Sequence, residues 1–240
     1  MKAVILCAGL GSRTGLKYPK CLFKFNDGST LLSKNIDNIK KYGFKNEDII
    51  LATGFKSSLI KKETNNLFKY VKNLSYAKTN MVYSFNEVLK KYKDHDYYIF
   101  YADIIFDAKN VGIIKKSKQD ISTIIDSDWL KKWKLKKNYL DDLEELKIHK
   151  SKILKLGKKA KKIDGIDGRF VGITKFSKKI VKQFIKKKIL KNILKENKKI
   201  DLTNFLMYLI NYNYEVFPIK KKVNWYEFDE YNDFKNFLKR

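Results

Sequence analysis

Short apolar runs and amphipathic stretches follow one another along the first half of the chain. The runs at residues 3–7, 49–52 and 97–102 are rich in β-branched or aromatic residues, and we predict that they are buried strands. Residues 30–42 and 81–92 are predicted helices, and apolar residues recur at helical spacing in the first of them. Strands that alternate with helices are typical of βαβ units. The pattern therefore predicts an α/β fold of three layers, with a mainly parallel sheet between helices.

The second half of the chain has a different pattern. Strand-like pieces at residues 121–125, 152–156 and 169–174 are separated by strongly charged stretches, which predicts a small antiparallel insertion that covers the ligand side of the sheet. No linker rich in proline, glycine or serine interrupts the sequence, so we predict a single domain, residues 1–240. The other predicted elements are helices at 56–68, 177–195, 203–212 and from 230 onward, and strands at 70–76 and 214–219.

The first predicted strand leads into a loop, AGLGSRTGLKYPK, at residues 8–20. Glycines let the main chain turn sharply and bring its N–H groups close to an anion, so phosphate is the expected ligand. The loop is not a P-loop, because no pair of glycines at the required spacing precedes Lys and Ser or Thr. Gly9, Gly11 and Gly15 are spaced one residue too widely for the dinucleotide fingerprint, although a dinucleotide-dependent oxidoreductase stays an alternative.

The order G-x-G-S-R, then a glycine, then Pro-Lys resembles the signature of the nucleotidyltransferase family, which activates sugars, cholines and phosphonates as nucleotide diphosphates. The resemblance implies a Rossmann-like sandwich of the GT-A-like type, with residues 1–120 as the nucleotide-binding half and 121–240 as the acceptor-binding half. It also implies a loop that binds the triphosphate. The residues at the matching positions are Ala8, Gly9, Gly11 and Ser12 for binding, and Arg13 and Lys20 for catalysis.

Two segments supply carboxylates for a metal ion. Triphosphate chemistry needs a divalent cation, and Mg²⁺ prefers hard oxygen ligands. Asp103 follows the predicted strand at 97–102, where the resemblance implies the first metal ligand. The segment WYEFD resembles the W-x-E-(I/F)-D motif of phosphocholine and phosphonate cytidylyltransferases, which implies Asp229 as the second ligand and Glu227 as its neighbour in support. The alternative role for Asp229 is the N-cap of the last helix.

Four further segments resemble the same cytidylyltransferases. TNMVYS is similar to their N-x-x-Y-S string, which implies that Asn80 and Ser84 bind the nucleotide, with a helix cap as the alternative for Asn80. The other three imply a site for a phosphonate or phosphoramidate acceptor. They supply Asp126, Asp128 and Trp129 in DSDWLKKW, the catalytic Lys158 after KILKLG, and Arg169 in GRFVG.

Two tryptophans of that acceptor segment have alternative roles. Trp129 and Trp133 are suited to a cation–π contact with a quaternary ammonium group, as in choline-activating relatives. Aromatic residues make up 14% of the chain, however, and most aromatic side chains belong to a hydrophobic core. Both interpretations stay open from the sequence.

The formal net charge of +27 is typical of nucleic-acid-binding proteins. Of the 53 cationic residues only three are arginine, however, whereas base readout favours arginine. We therefore interpret the charge as surface composition that attracts anionic substrates, with nucleic-acid binding as the competing class. Cys7, Cys21, His95 and His149 have no zinc-site spacing. No stretch matches a signal peptide or a membrane span, so a cytoplasmic protein without membrane insertion is expected.

These features predict a Mg²⁺-dependent transfer of CMP from CTP to a small phosphorylated acceptor, with release of pyrophosphate. The resemblance points to a phosphoglutamine, phosphoramidate or phosphonate acceptor and to capsule or surface polysaccharide modification. Phosphocholine and sugar phosphates are the alternative acceptors. The prediction of CTP as the nucleotide depends on the resemblance alone, so UTP, ATP and GTP are alternative substrates. A non-enzymatic nucleotide sensor with the same fold is a further alternative. The sequence makes no prediction of oligomeric state.

Overall fold

The computed structural model describes residues 1–134, 139–141 and 143–239 of the chain. In order along the chain, the strands within these ranges are β1 Lys2–Cys7, β2 Ile49–Thr53, β3 Lys69–Lys72, β4 Tyr97–Tyr101, β5 Ile104–Phe106, β6 Ile121–Asp126, β7 Glu144–His149, β8 Lys152–Lys159, β9 Arg169–Phe176, β10 Phe217–Lys221 and β11 Trp225–Glu227. The helices are α1 Leu31–Lys40, α2 Ser57–Glu63, α3 Met81–Lys91, α4 Ala108–Lys115, α5 Trp129–Trp133, α6 Lys178–Lys186, α7 Ile189–Glu196, α8 Leu202–Asn211 and α9 Tyr231–Leu238.

A seven-stranded mixed sheet with the order β10-β6-β9-β4-β1-β2-β3 forms the centre of the molecule. Strands β1 to β4 are mutually parallel, β10 is parallel to β6, and β9 is antiparallel to both of its neighbours, β4 and β6. The prediction of a mainly parallel α/β sheet is therefore confirmed. The parallel ladder is consistent with the short, mainly apolar strands β1, β2 and β4, which require cover on both faces.

The predicted antiparallel insertion is smaller than expected from the sequence. Residues 121–125 and 169–174 belong to β6 and β9, which are buried along their whole length within the main sheet. Only β8 of the expected pieces lies outside that sheet, in a hairpin with β7. Residues 135–138 and 142, which fall within the predicted insertion, lie outside the described residues. Antiparallel pairing of β9 inside the sheet explains the error, because a fully buried strand has the same apolar pattern in either direction.

Helices cover both faces of the sheet. Successive residues of β1 point to opposite faces, so that Val4 lies in one hydrophobic cluster whereas Ala3 and Ile5 lie in another. Helices α3, α6, α7 and α8 supply the first cluster, and α1 and α4 supply the second. This arrangement gives the predicted three layers.

The predicted helix at 177–195 is two helices. The chain turns between α6 and α7 at Lys188, whose φ of 55° lies in the left-handed region. Helical apolar spacing continues through the turn, which is why the pattern alone did not reveal it. No helix in the described ranges is long and apolar enough to cross a membrane.

Candidate active site

The parallel strands β1 to β4 end at the same edge of the sheet, and a cleft of about 260 Å³ opens there. We call it the loop cleft, because residues 9–13 of the glycine loop line it together with Lys20, Asn80 and Asp103. A smaller inner pocket of about 110 Å³ adjoins it and shares Gly9, Asn80 and Asp103 with it. Open α/β sheets bind their ligands at this edge.

The glycine loop has the conformation that its glycines permit. Gly11 and Gly15 have φ values of 63° and 66°, and they flank the 3-10 turn Ser12–Thr14. These φ values lie in the left-handed region, where a side chain is strained. Within the turn, the hydroxyl of Thr14 donates a hydrogen bond to the Gly11 carbonyl over 2.6 Å. The turn directs Ser12 and Arg13 towards the cleft.

Lys20 joins three separate parts of the chain at the cleft. Its Nζ lies 3.1 Å from Asp103 Oδ2 and donates a hydrogen bond of 2.7 Å to the Phe228 carbonyl. The backbone N–H of Phe228 donates in turn to the Asp103 carbonyl over 2.9 Å. The Lys20 side chain is 13% exposed, so its ammonium group is largely shielded from water. Such a cation has a fixed position before any ligand binds.

Arg13 forms the second ion pair of the site. Its Nη2 lies 2.9 Å from Asp229 Oδ1, and the Arg13 side chain is 67% exposed whereas that of Asp229 is 15% exposed. Because Asp229 directly follows Phe228, the two predicted metal ligands, Asp103 and Asp229, lie on the same side of the cleft. Each of them is paired with one of the two cations predicted to bind the triphosphate.

An aromatic cluster holds the C-terminal segment against the loop side of the site. Strand β11 pairs with β5, which places Glu227 opposite Ile104. The Phe228 and Phe234 rings are stacked with their centroids 4.3 Å apart, and Phe234 also stacks on Phe23 at 3.9 Å. These contacts bring Asp229 to a loop more than 200 residues earlier in the chain.

The predicted alternative for Asp229, the N-cap of the last helix, is wrong. Glu230 occupies the N-cap of α9, and the Asp233 carboxylate accepts hydrogen bonds from the backbone N–H groups of Asp229 and Glu230 over 2.7 and 2.9 Å. The side chain of Asp229 is therefore available to Arg13 at the cleft.

Buried polar side chains line the inner pocket. Asn73 is 1% exposed, and its amide donates to the hydroxyls of Thr79 and Ser84 over 2.9 and 3.0 Å. Asn80 caps α3, since its Oδ1 accepts from the Met81 N–H over 2.8 Å, so the cap expected as an alternative is present. Asn80 also lines the pocket, and the two roles coexist.

Asn73 and Gly54 were not predicted as site residues. Asn73 follows β3 at the same sheet edge as Asp103 follows β4, and a polar residue at that position was a signal in the sequence. A Cβ at Gly54 would lie 2.6 Å from both the Ala8 carbonyl oxygen and the Tyr76 Cβ. Only glycine therefore allows this close approach.

Tyr101, the last residue of β4, lies close to several carboxylates. Burial raises the pKa of the Tyr101 hydroxyl well above its usual value, and nearby carboxylates, Asp201 first and then Asp103, raise it further. The hydroxyl thus stays neutral at physiological pH. Tyr101 also lines the inner pocket.

Two of the residues predicted to bind the acceptor support the fold instead. Asp126 is fully buried, and its carboxylate accepts from Trp225 Nε1 over 2.8 Å, Lys132 Nζ over 2.5 Å and the Asp128 N–H over 3.0 Å. A buried carboxylate needs such partners, and these leave no surface for an acceptor. Trp129 is 5% exposed within a hydrophobic cluster, so it belongs to the core.

The remaining predicted acceptor residues are dispersed. Asp128 pairs with Lys222 at 3.1 Å and Lys131 at 3.6 Å, and these lysines hold its pKa below the usual value. Lys158 is exposed on β8 and lines neither the loop cleft nor the inner pocket. Arg169 is buried, at 5% exposure, and lines neither pocket.

Arg169 contacts Glu227, the residue predicted to support the metal ligands. Its guanidinium stacks on the Trp133 ring at 3.8 Å from the centroid and lies 4.0 Å from carboxylate oxygens of Glu144 and Glu227. Trp133 is 3% exposed, so the core interpretation holds for this residue as well. Arg169 therefore fixes Glu227 from the acceptor side.

The residues at the cleft suit a hard cation. Mg²⁺ is commonly held by one or two carboxylates together with substrate phosphates and water. Asp103 lines the cleft with its side chain 31% exposed, and Asp229, which pairs with the cleft residue Arg13, has a side chain 15% exposed. Two carboxylates of this kind fit the hard oxygen ligands that Mg²⁺ prefers.

The two cysteines are buried next to the loop cleft as free thiols. A hydrogen bond with Cys21 and burial together raise the pKa of the Cys7 thiol well above its ordinary value. The Cys7 thiol therefore stays protonated at physiological pH and is a poor nucleophile.

Comparison with known proteins identifies the family. Residues 3–127 match the model of the MobA-like NTP transferase domain. The chain is 30% identical to CTP:phosphoglutamine cytidylyltransferase of Campylobacter jejuni, over 97% of both proteins. Its fold is similar to that of the inositol-1-phosphate CTP transferase from T. maritima, with a TM-score of 0.75, 19% identity and coverage of 97% of this chain and 90% of that one.

A second solved structure has the same fold. CTP:phosphocholine cytidylyltransferase from Streptococcus pneumoniae superposes with a TM-score of 0.68 and 20% identity, over 99% of this chain and 97% of that one. The glycine loop and the strand end at Asp103 both fall within the residues that match the family model. The chain therefore belongs to the MobA-like NTP transferase family and is a nucleotidyltransferase.

Proposed function

We propose that the protein is a Mg²⁺-dependent cytidylyltransferase that transfers CMP from CTP to a small phosphorylated acceptor and releases pyrophosphate. The observation that carries the chemistry is the double ion pair at the loop cleft, Lys20 with Asp103 and Arg13 with Asp229. The choice of CTP and of phosphoglutamine rests on the relative from Campylobacter jejuni, whereas a phosphoramidate or phosphonate acceptor rests on the motifs of the sequence. The expected setting is the cytoplasm, in capsule or surface polysaccharide modification.

In the proposed reaction an acceptor oxygen attacks the α-phosphorus of CTP. A new P–O bond forms there as the bond to the bridging oxygen breaks, and the electron pair leaves with pyrophosphate. The acceptor oxygen is already anionic at pH 7, so no strong general base is required. Positioning of the reactants and stabilisation of charge therefore account for most of the catalysis.

The two ion pairs exchange partners when the nucleotide binds. Lys20 and Arg13, which pair with Asp103 and Asp229 without ligand, would turn to the triphosphate, and the two carboxylates would then be able to hold Mg²⁺. Mg²⁺ supplies charge neutralisation at the phosphate oxygens when it is bound. Without ligand, the two ion pairs keep the four charged side chains together beside the glycine loop.

The acceptor side of the proposed mechanism rests on fewer residues. Arg169 positions Glu227 next to the metal ligands, and Lys158 and Asp128 stay predicted contacts of the acceptor. Ala8, Gly9, Gly11 and Ser12 are proposed to bind the phosphates, and Asn80 and Ser84 the nucleoside. Asn73 is proposed to support the nucleoside site through its hydrogen bond to Ser84.

A matrix of substrates tests this proposal. Pyrophosphate release would be measured with CTP, UTP, ATP or GTP against phosphoglutamine, a small phosphonate, phosphocholine and a sugar 1-phosphate. We expect release with CTP and phosphoglutamine or the phosphonate, and its loss on addition of EDTA. Turnover that depends on another nucleotide, or that is unaffected by EDTA, would contradict the proposal. Tight, saturable DNA binding in a gel shift at physiological salt would favour the nucleic-acid class instead.

A further inference from the structure

Tyr101 lies where the inner pocket meets the predicted acceptor-binding half of the chain. It is the last residue of β4 and lines the inner pocket together with Asp103. Strand β9, which belongs to that half, pairs with β4 and places Ile173 opposite Phe100. The other neighbour of β4 is β1, which leads into the glycine loop. Tyr101 therefore lies between the candidate nucleotide site and the strand that carries predicted acceptor residues.

Strand β9 has a local irregularity that makes room for the Tyr101 ring. Gly172 has a φ of 83°, in the left-handed region, although it lies within a fully buried strand. A Cβ at Gly172 would lie 2.7 Å from Tyr101 Cγ, so glycine allows the ring to lie directly against the β9 backbone. The Phe170 ring meets the Tyr101 ring edge to face, with centroids 5.8 Å apart. These contacts hold the ring against β9.

The Tyr101 hydroxyl is available to a ligand. It has no hydrogen-bond partner within the part of the chain that the structure describes. Its raised pKa keeps it protonated, so it can donate a hydrogen bond to an anion. Of the nearby carboxylates, Asp103 pairs with Lys20 at 3.1 Å. Glu227 lies 4.0 Å from Arg169, so both of these carboxylates repel an anion less than unpaired ones would.

The position of Tyr101 favours the acceptor over the nucleoside as this ligand. Of the residues assigned above to the nucleoside site, Asn73 follows β3 and Ser84 belongs to α3. Strands β1 and β2 lie between β3 and β4 in the sheet, so Tyr101 is at the other end of the inner pocket from Asn73. Lys158 and Arg169 line neither pocket, which leaves the acceptor without a direct contact there from either of them.

We propose that Tyr101 is an acceptor-binding residue, whose hydroxyl donates a hydrogen bond to a phosphoryl oxygen of the acceptor beside Asp103. This inference rests on the proposed function, because it requires an acceptor that carries a phosphoryl group. The hydrogen bond holds the acceptor between β9 and the predicted metal ligand. Tyr101 thus has the role that the sequence motif assigned to Asp126 and Trp129, which the structure places in the core.

Steady-state kinetics of Tyr101→Phe test the proposal, since this variant loses the hydroxyl and keeps the ring against Gly172. The substrates are CTP and phosphoglutamine, or whichever pair the wild-type enzyme turns over in the matrix above, and pyrophosphate release gives the rate. The loss of one hydrogen bond to a charged group should raise the acceptor KM roughly tenfold or more, while the nucleotide KM stays within about twofold. Thermal melts confirm that the variant is folded.

Tyr98→Phe is the matched control. Tyr98 also belongs to β4, but its ring packs edge to face on Phe44 and lines neither pocket, so both KM values should be unchanged. An unchanged acceptor KM in Tyr101→Phe, an equal rise in the nucleotide KM, or the same changes in Tyr98→Phe would overturn the proposal. Wild-type preference for another nucleotide would contradict the choice of CTP and not the role of Tyr101, so the two failures are distinguishable.

Discussion

One continuous loop, residues 8–20, supplies a wall of the loop cleft, whereas the residues predicted to bind the acceptor come from β6, α5, β8 and β9. In the loop, Arg13 and Lys20 both reach predicted metal ligands. On the acceptor side, Asp126 is buried beneath Trp225 and Lys158 is exposed outside both pockets. A motif within one loop is constrained by chain connectivity, but a site built from separate elements depends on packing that short motifs do not encode.

The largest effect is expected at Asp126, which was predicted to bind the acceptor but lies buried in the core. Asp126→Ala leaves Lys132 and Trp225 Nε1 without their buried partner, so we expect the free energy of unfolding to fall by about 3–5 kcal/mol. Urea denaturation measures it. Asp128→Ala, two residues away in exposed ion pairs, should cost about 1 kcal/mol or less. An Asp126→Ala protein of normal stability with impaired acceptor binding would restore the original prediction.

The second largest effect is expected for a substitution in the glycine loop, at Lys20. Lys20→Ala removes a shielded cation that faces the cleft, and we expect kcat/KM to fall by about 10²–10³ because transition-state charge is no longer stabilised. Pyrophosphate release gives the rate. Lys24→Ala is the matched control, since Lys24 is exposed in the same segment and does not line the cleft. Near-full turnover by Lys20→Ala would remove Lys20 from the mechanism.

Arg13 should matter less than Lys20, although both belong to the same loop. Its side chain is 67% exposed, and exposed ion pairs contribute about 1 kcal/mol or less. We expect Arg13→Ala to raise the KM for the nucleotide by roughly fivefold to tenfold, with a smaller change in kcat. Steady-state kinetics of the two variants side by side decide the order. A larger loss for Arg13→Ala than for Lys20→Ala would reverse the proposed division of roles.

The smallest effect is expected at Lys158. If this exposed lysine aligns the acceptor, Lys158→Ala should raise the acceptor KM about threefold and leave the nucleotide KM unchanged. Lys159→Ala is the control, because the neighbouring side chain on β8 is also an exposed lysine. The same change in both variants would show that Lys158 has no specific role.

The sequence predicted the parallel half of the sheet well because its strands are short apolar runs that end in glycine or aspartate. It did not reveal that β9 runs antiparallel within the same sheet, since burial on both faces produces the same composition in either direction. The position of Asp103 was predictable from its strand end. The binding of Lys20 to the Phe228 carbonyl was not, because a backbone acceptor has no signature in the sequence.

The acceptor motif DSDW shows the opposite error, in which a sequence pattern predicted binding residues that the structure places in the core. The order D-x-D-W indicated a binding site, but the first aspartate is satisfied by Trp225, 99 residues later in the chain. A buried carboxylate with distant partners and a ligand-binding carboxylate have the same appearance in a sequence. Asn73 was missed for a related reason, since its hydrogen bonds to Thr79 and Ser84 form only when β3 and α3 are packed together.

A crystal structure with CTP and Mn²⁺ in place of Mg²⁺ would test the central claim most directly. The account predicts an anomalous peak about 2.2 Å from carboxylate oxygens of both Asp103 and Asp229, beside the triphosphate, with Lys20 and Arg13 turned towards the phosphates. A metal ion held elsewhere would contradict the account. So would a triphosphate bound away from the glycine loop while both ion pairs stay intact.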